Sequence, residues 1–226
     1  MTDRENFRRA QAAERGWLAR TDLAVAQAAS AYERHPTVVT IGALAELADQ
    51  PPMVTICLAT VGTGIVRDDT RQMRAGLRML LAHAMATGVK TILKNSVDRS
   101  RPFKVAEEGR HDFEGGESHD GKDRSFPSGH TAGALAVARA VAREYPSAAL
   151  PLTFAVLFVG GIQIPRQSHH PSDVATGAAI GYVSELASDY LLRRIGAELR
   201  HRQSEKFDRP RSTHDLPTRV ARDVRD

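Results

Sequence analysis

Prolines border the apolar, alanine-rich segments of this chain, and that punctuation leaves few folds open. Pro36, Pro51-Pro52, Pro102, Pro127, Pro146 and Pro171 stand where helices start or turn, the places that tolerate a missing N–H and a fixed φ. The stretches between them carry no sustained period-two alternation, whereas Ala84–Leu93 and Ala132–Ala142 are long and rich in good helix formers. The pattern predicts helices near 37–49, 52–66, 73–93, 129–144, 149–162 and 172–194, with one or two polar-faced helices over Asn6–Arg34. The fold class is all-α, a bundle of about six core helices with an extra N-terminal helix. The expected organisation is an N-terminal amphipathic helix over 1–20, a main domain over 21–197, and a basic, disordered tail over 198–226.

With 226 residues, 42% of them hydrophobic and 26% charged, the chain can bury the core of one domain. Lys and Arg total 31 against 27 acidic residues, a net charge of +4. That excess is too small for a dedicated nucleic-acid binder and compatible with an anionic substrate or anionic lipid. Cys57 is the single cysteine, so there is no internal disulfide, and its apolar neighbours place it in the core. Arg4, Arg8, Arg9, Arg15 and Arg20 are followed by no apolar run, which argues against a cleaved signal peptide. Trp17 and Leu18 give the first segment a face that can lie on a membrane.

By hydropathy the apolar segments are marginal membrane spans, which need about 20 mostly apolar residues. Charge placement favours them. If the helices run up and down, Arg67, Arg71, Arg74, Arg78, Arg139, Arg143, Arg193 and Arg194 fall on one side, as cytoplasmic positive charge requires. The expectation is a bundle embedded in a bacterial-type inner membrane, with Lys94–Ser128 and Arg166–Ser172 facing outward; the alternative is a soluble protein.

Three polar islands lie on that outward side: Lys94–Pro102, Ser125–Thr131 and His169–Asp173. Lys94 and Arg101 are two helical turns apart, a spacing that clamps a phosphate between a mobile point charge and a bidentate fork; their plainer reading is a basic helix end offsetting its own dipole. Pro127-Ser128-Gly129-His130 opens a helix. Ser128 can cap it, Gly129 admits a ligand to the backbone N–H groups, and His130 can hand a proton to a leaving oxygen, though a plain N-cap with an incidental histidine has the same sequence. His169 and Asp173 are four residues apart, so Asp173 can hold one imidazole nitrogen while the other attacks phosphorus; here the plainer reading is a surface cap with an i,i+4 pair.

Together the islands resemble the type 2 phosphatidic acid phosphatase and vanadium haloperoxidase superfamily, whose motifs read Lys-x6-Arg-Pro, Pro-Ser-Gly-His and Ser-Arg-x5-His-x3-Asp. The first two match in full at Lys94, Arg101 and Pro102 and at Pro127–His130. The third keeps His169 and Asp173 but has Ile162 and Gln163 where Ser-Arg is expected. Arg166, about one helical turn before His169, is the candidate to supply the missing guanidinium. The resemblance implies a phosphatase in which His169 is the nucleophile, Asp173 orients it, and His130 protonates the leaving group and then activates water. Lys94, Arg101, Ser128 and Gly129, with Arg166, would bind the phosphoryl oxygens of a lipid phosphate such as phosphatidic acid, or of a prenyl diphosphate.

No cofactor or metal is expected. His111, His119, Asp112, Asp120 and Asp123 match no common ligand spacing and read as a solvated loop over the site, with Phe103, Phe113 and Phe126 touching substrate or pinning the loop. His170, beside the nucleophile, is expected to point elsewhere. The rival readings are a soluble nonspecific acid phosphatase, a vanadate-dependent haloperoxidase, and a non-catalytic anion- or lipid-binding membrane protein motivated by Gln163.

Overall fold

The computed structural model describes residues 2–116, 118 and 120–208, and they form an almost wholly helical chain. The N-terminal pair is α1 (Asp3–Ala13) and α2 (Trp17–Ser30); α3 (Pro36–Ala45) follows, then a 3-10 turn over Glu46–Ala48 and α4 (Gln50–Val66). The longest helices are α5 (Thr70–Lys94) and α9 (Pro171–Asp208), with α6 (Pro102–Glu108), α7 (Gly129–Glu144) and α8 (Ala149–Ile162) between them. Pro36 and Pro102 sit in the first turns of α3 and α6, and Pro51 and Pro52 in that of α4, as the punctuation requires.

Two elements depart from the expected pattern. The tract after Lys94 is folded rather than a solvated loop. It holds α6 and a two-stranded antiparallel pair, β1 (Val97–Arg99) with β2 (Phe113–Gly115). These strands are too short for alternation to register. Helix α9 continues past residue 194 to Asp208, because nothing between 194 and 208 breaks it. The disorder expected of the basic tail otherwise concerns 209–226, outside the described residues. The boundary expected after residue 20 falls inside α2.

Among the described residues, those up to Asp189 form one compact unit and those from Tyr190 on belong to a second. In the first, α4, α5, α7 and α8 pack around small side chains: Ala82, Ala86, Ala132, Ala136 and Ala140 are buried with Met79, Val137, Ile180 and Cys57. A second cluster of Phe7, Ala10, Leu23, Ala26 and Val105 fastens α1 and α2 to α6. In the second unit, Arg202 pairs with Glu198 along the helix at 3.0 Å.

The far end of the bundle is an ion network. Glu185, almost fully buried, takes Arg139 at 3.0 Å and Arg143 at 2.5 Å, while Arg78 joins Glu144 at 2.8 Å and Asp189 at 2.6 Å. Lys94 lies at the other end of α5 (Thr70–Lys94), about 24 Å along the axis from Arg78 at about 1.5 Å per residue.

Among the described residues no helix is long and apolar enough to cross a membrane. Helix α8 is apolar but has 14 residues, about 21 Å against a hydrocarbon core of about 30 Å. Helix α5 is long enough but carries Arg71, Arg74, Arg78 and Lys90.

Close approach of α9 to α7 sets the site. A Cβ on Gly177 would collide with the Ser128 carbonyl oxygen, and one on Gly181 with that of Ala132. Gly177→Ala is therefore expected to cost about 1–3 kcal/mol in denaturant unfolding. Gly88→Ala, whose Cβ meets nothing, should leave stability unchanged or raise it by about 0.5–1 kcal/mol.

Candidate active site

The three islands meet at a cavity of about 300 Å³. One wall is Lys90, Lys94 and Arg101; Gly129 and His130 at the start of α7 form another; Gln163, Arg166, Ser168 and His169 close it; Glu46 and Asp49 stand at its edge.

His169 is 2% exposed, and its Nδ1 lies 2.7 Å from the Ser125 carbonyl oxygen. A carbonyl only accepts, so Nδ1 carries the proton and the Nε2 lone pair is left for the cavity. Burial, then the charges of Arg101 and Lys94, hold the imidazole well below its usual pKa. The ring is therefore neutral at physiological pH.

Asp173 does not grip His169 directly: Oδ2 is 3.9 Å from Nδ1. Its Oδ1 accepts from Arg99 Nη1 at 2.6 Å, and its Oδ2 from Ser125 Oγ at 2.6 Å and the His170 amide at 2.8 Å. Asp173 therefore reaches His169 through Ser125, whose hydroxyl binds Asp173 and whose carbonyl binds His169. Arg99 Nη2 in turn donates to Asp22 of α2 at 2.7 Å.

His130, in the first turn of α7, faces Glu46 at 3.6 Å, and its buried Nε2 has no hydrogen-bond partner. Lys94 Nζ donates to the Arg124 carbonyl at 2.9 Å, and Arg101 Nε to the Gly121 carbonyl at 2.8 Å, so backbone from the 113–125 tract aims both cations. Arg166 lines the same cavity. Its Nη2 pairs with Glu46 at 2.6 Å, while Nη1 is buried without a partner. Gln163 is fully buried with both amide atoms unpartnered. Orphaned buried donors carry a desolvation cost that an anionic ligand would relieve.

Ser128 is the expected phosphate ligand that does not line the cavity. Its hydroxyl lies 3.0 Å from that of Thr131, and its N–H donates to the Asp173 carbonyl at 3.1 Å. It builds the helix start, and α7 meets the cavity through Gly129 and His130. At Gly129 a side chain would strike the Lys90 side chain, so this glycine admits a cation to the helix N-terminus.

The residues weighed as loop or metal ligands hold structure instead. His111 Nδ1 lies 2.8 Å from Glu14, and its ring packs edge-on against His170. Asp123 pairs with Lys104 at 2.5 Å, Asp112 with Arg110 at 3.0 Å, and Asp120 caps the turn at 121–123. His119 lies outside the described residues. Phe113 packs edge-on against Phe126, with the Arg99 guanidinium 5.0 Å from the Phe113 ring centroid. His170 Nε2 lies 3.1 Å from the Ser100 carbonyl, away from the cavity.

Sequence reasoning missed Arg99, Asp22, Ser125, Lys90 and Glu46. Arg99 and Ser125 lie inside the islands and could have been found there; Asp22 and Glu46 carry no local signal.

A helical bundle presenting a cationic cavity with a neutral, backbone-oriented histidine defines a class, and the model of the PAP2 superfamily matches residues 75–195. The chain belongs to that superfamily. Over 105 residues it is 29% identical to a lipid A 1-phosphatase of Rhizobium johnstonii, a match covering 46% of this chain and 43% of the relative; it thus spans less than half that relative's length. The fold is shared with LpxE of Aquifex aeolicus (TM-score 0.56, 22% identity, covering 74% of this chain and 93% of that one). It is shared as well with a transmembrane PAP2-type phosphatidylglycerolphosphate phosphatase of Bacillus subtilis (TM-score 0.57, 18% identity, covering 84% and 93%).

Burial and the neighbouring Arg101 charge lower the Lys94 pKa to about 8. As pH rises through that value the ammonium is lost and the cavity gives up one positive charge. Inorganic phosphate, already a dianion, should bind several-fold more weakly at pH 9.5 than at pH 7.5 by calorimetry. Lys94→Arg, which stays charged, should flatten that dependence.

Proposed function

We propose that this chain is a phosphatase that removes phosphate from a phosphorylated lipid through a phosphohistidine at His169, with no metal ion required. The observation that carries the reading is the His169 arrangement: Nδ1 held on the Ser125 carbonyl at 2.7 Å and the other nitrogen left to a cavity lined by Lys90, Lys94, Arg101 and Arg166. These cations take the charge-neutralising part that phosphoryl transfer demands.

In the first step the Nε2 lone pair of His169 attacks phosphorus and the bond to the leaving oxygen breaks, that oxygen taking a proton from His130. In the second, His130 accepts a proton from water, the water oxygen attacks phosphorus, and the P–N pair returns to Nε2. Burial lowers the His130 pKa, and Glu46 and Asp49 oppose that fall. Arg166 stands in for the guanidinium absent at Gln163.

A lipid substrate fits the surface. Leu150, Phe154, Leu157 and Phe158 of α8 are exposed, as are Leu44 and Leu47 on either side of Glu46, and exposed apolar area of this extent marks a lipid or protein contact. The relatives' names point to phospholipid or lipid A phosphates. We place the apolar flank against a bacterial inner membrane with the arginine network on the cytoplasmic side and the cavity facing outward.

The test is phosphate release in chelator from phosphatidic acid, a prenyl diphosphate and p-nitrophenyl phosphate. His169→Ala is expected to lower kcat by about 10³-fold or more, and Arg166→Ala to lower kcat/KM by about 10²–10³-fold. Release that survives His169→Ala would overturn the mechanism. Phosphate binding with no release from any substrate would leave the anion-binding reading that Gln163 motivates.

A further inference from the structure

Glu46 puts a carboxylate into a cavity otherwise built for an anion. It lies in the 3-10 turn between α3 and α4 and is half exposed. One oxygen pairs with Arg166 Nη2 at 2.6 Å and the other faces His130 Nε2 at 3.6 Å. An exposed ion pair is ordinarily worth little to stability. This one differs in what it touches: the His130 Nε2 and the Arg166 Nη1 are both buried and without a hydrogen-bond partner. Glu46 thus bridges the general acid and the displaced guanidinium, the two groups that must converge on the phosphoryl and leaving oxygens.

We propose that Glu46 is a positioning residue that stands in for an anion at the cavity, pairing with the Arg166 guanidinium at 2.6 Å and facing His130 Nε2 at 3.6 Å until a phosphoryl group enters. His130's role as acid rests on the phosphatase reading above. When a phosphoryl group enters, Arg166 exchanges one anion for another and little reorganisation is needed. The same competition speeds release of the product phosphate. The groups that face His130 are Glu46 and Asp49 from the 46–50 turn, Arg166 from the segment after α8, and the cavity's Lys90, Lys94, Arg101 and His169. The two carboxylates favour the imidazolium and the cations oppose it, so removing Glu46 tips the balance toward the neutral ring.

The test uses Glu46→Gln in the full chain and needs no turnover. The His130 ring is titrated by NMR, its signal assigned by loss in His130→Gln, and inorganic phosphate affinity is measured by calorimetry. The His130 midpoint should fall by about one pH unit, and phosphate should bind several-fold tighter because its competitor is gone. Glu46→Asp should lie between the variant and the parent in both, and it serves as the test if Glu46→Gln does not fold. An unshifted midpoint or unchanged phosphate affinity in a folded variant overturns the assignment. Both readouts stand apart from His169-dependent release, so failure here is distinguishable from failure of the phosphatase reading.

Discussion

The site depends on one buried carboxylate. Asp173 accepts from Arg99, the Ser125 hydroxyl and the His170 amide, and those three residues come from the three islands that carry the chemistry. A carboxylate with no exposed surface persists only when its lone pairs are satisfied, and breaking such a pair typically costs about 3–5 kcal/mol. That cost holds the islands in register. His169 then takes its orientation from the Ser125 carbonyl instead of from a direct bond to Asp173. Because Arg99 is shared with Asp22 at 2.7 Å, α2 becomes part of the support for the histidine, and α1 is fastened in turn by the Asn6 amide on the Ala106 carbonyl at 2.6 Å.

Charge is arranged differently at the two ends of α5. At the far end each arginine of the network meets a carboxylate, and Glu185 and Asp189 are buried between them. At the cavity end Lys90, Lys94, Arg101 and Arg166 meet mainly backbone carbonyls and amides, with Glu46 the one direct ion pair among the described residues of that set. A paired end adds rigidity, whereas an underpaired end is completed by a ligand. The alanine and glycine surfaces of α7 and α9 let the helices approach closely enough to keep His130 and His169 on one cavity.

Much of this was legible in the sequence because it is local. Proline placement marked the starts of α3, α4 and α9, and the family resemblance of the three islands brought Lys94, Arg101, His130 and His169 into one constellation. What escaped is long-range. Asp22 lies 77 positions from Arg99 in the chain, and nothing near it marks it as different from any helix-surface aspartate. The glycine- and aspartate-rich tract after Pro102 looked like a solvated loop because its order comes from partners elsewhere, such as the Ser100 amide on the Asp112 carbonyl. Ser128 was legible as the cap of α7, where its hydroxyl lies 3.0 Å from that of Thr131. The Gln163 departure was visible at once; that Arg166 shares the cavity required the turn after α8.

The account's central claim is that His169 Nε2 forms a bond to phosphorus. The P–N bond of a phosphohistidine is hydrolysed in acid and survives base, so the direct measurement is rapid alkaline quench of the protein turning over ³²P-labelled phosphatidic acid, followed by peptide mass spectrometry. The account predicts label on His169 and none on the same peptide of a His169→Ala protein. Label absent from His169 during active turnover, or found on another side chain, would contradict it.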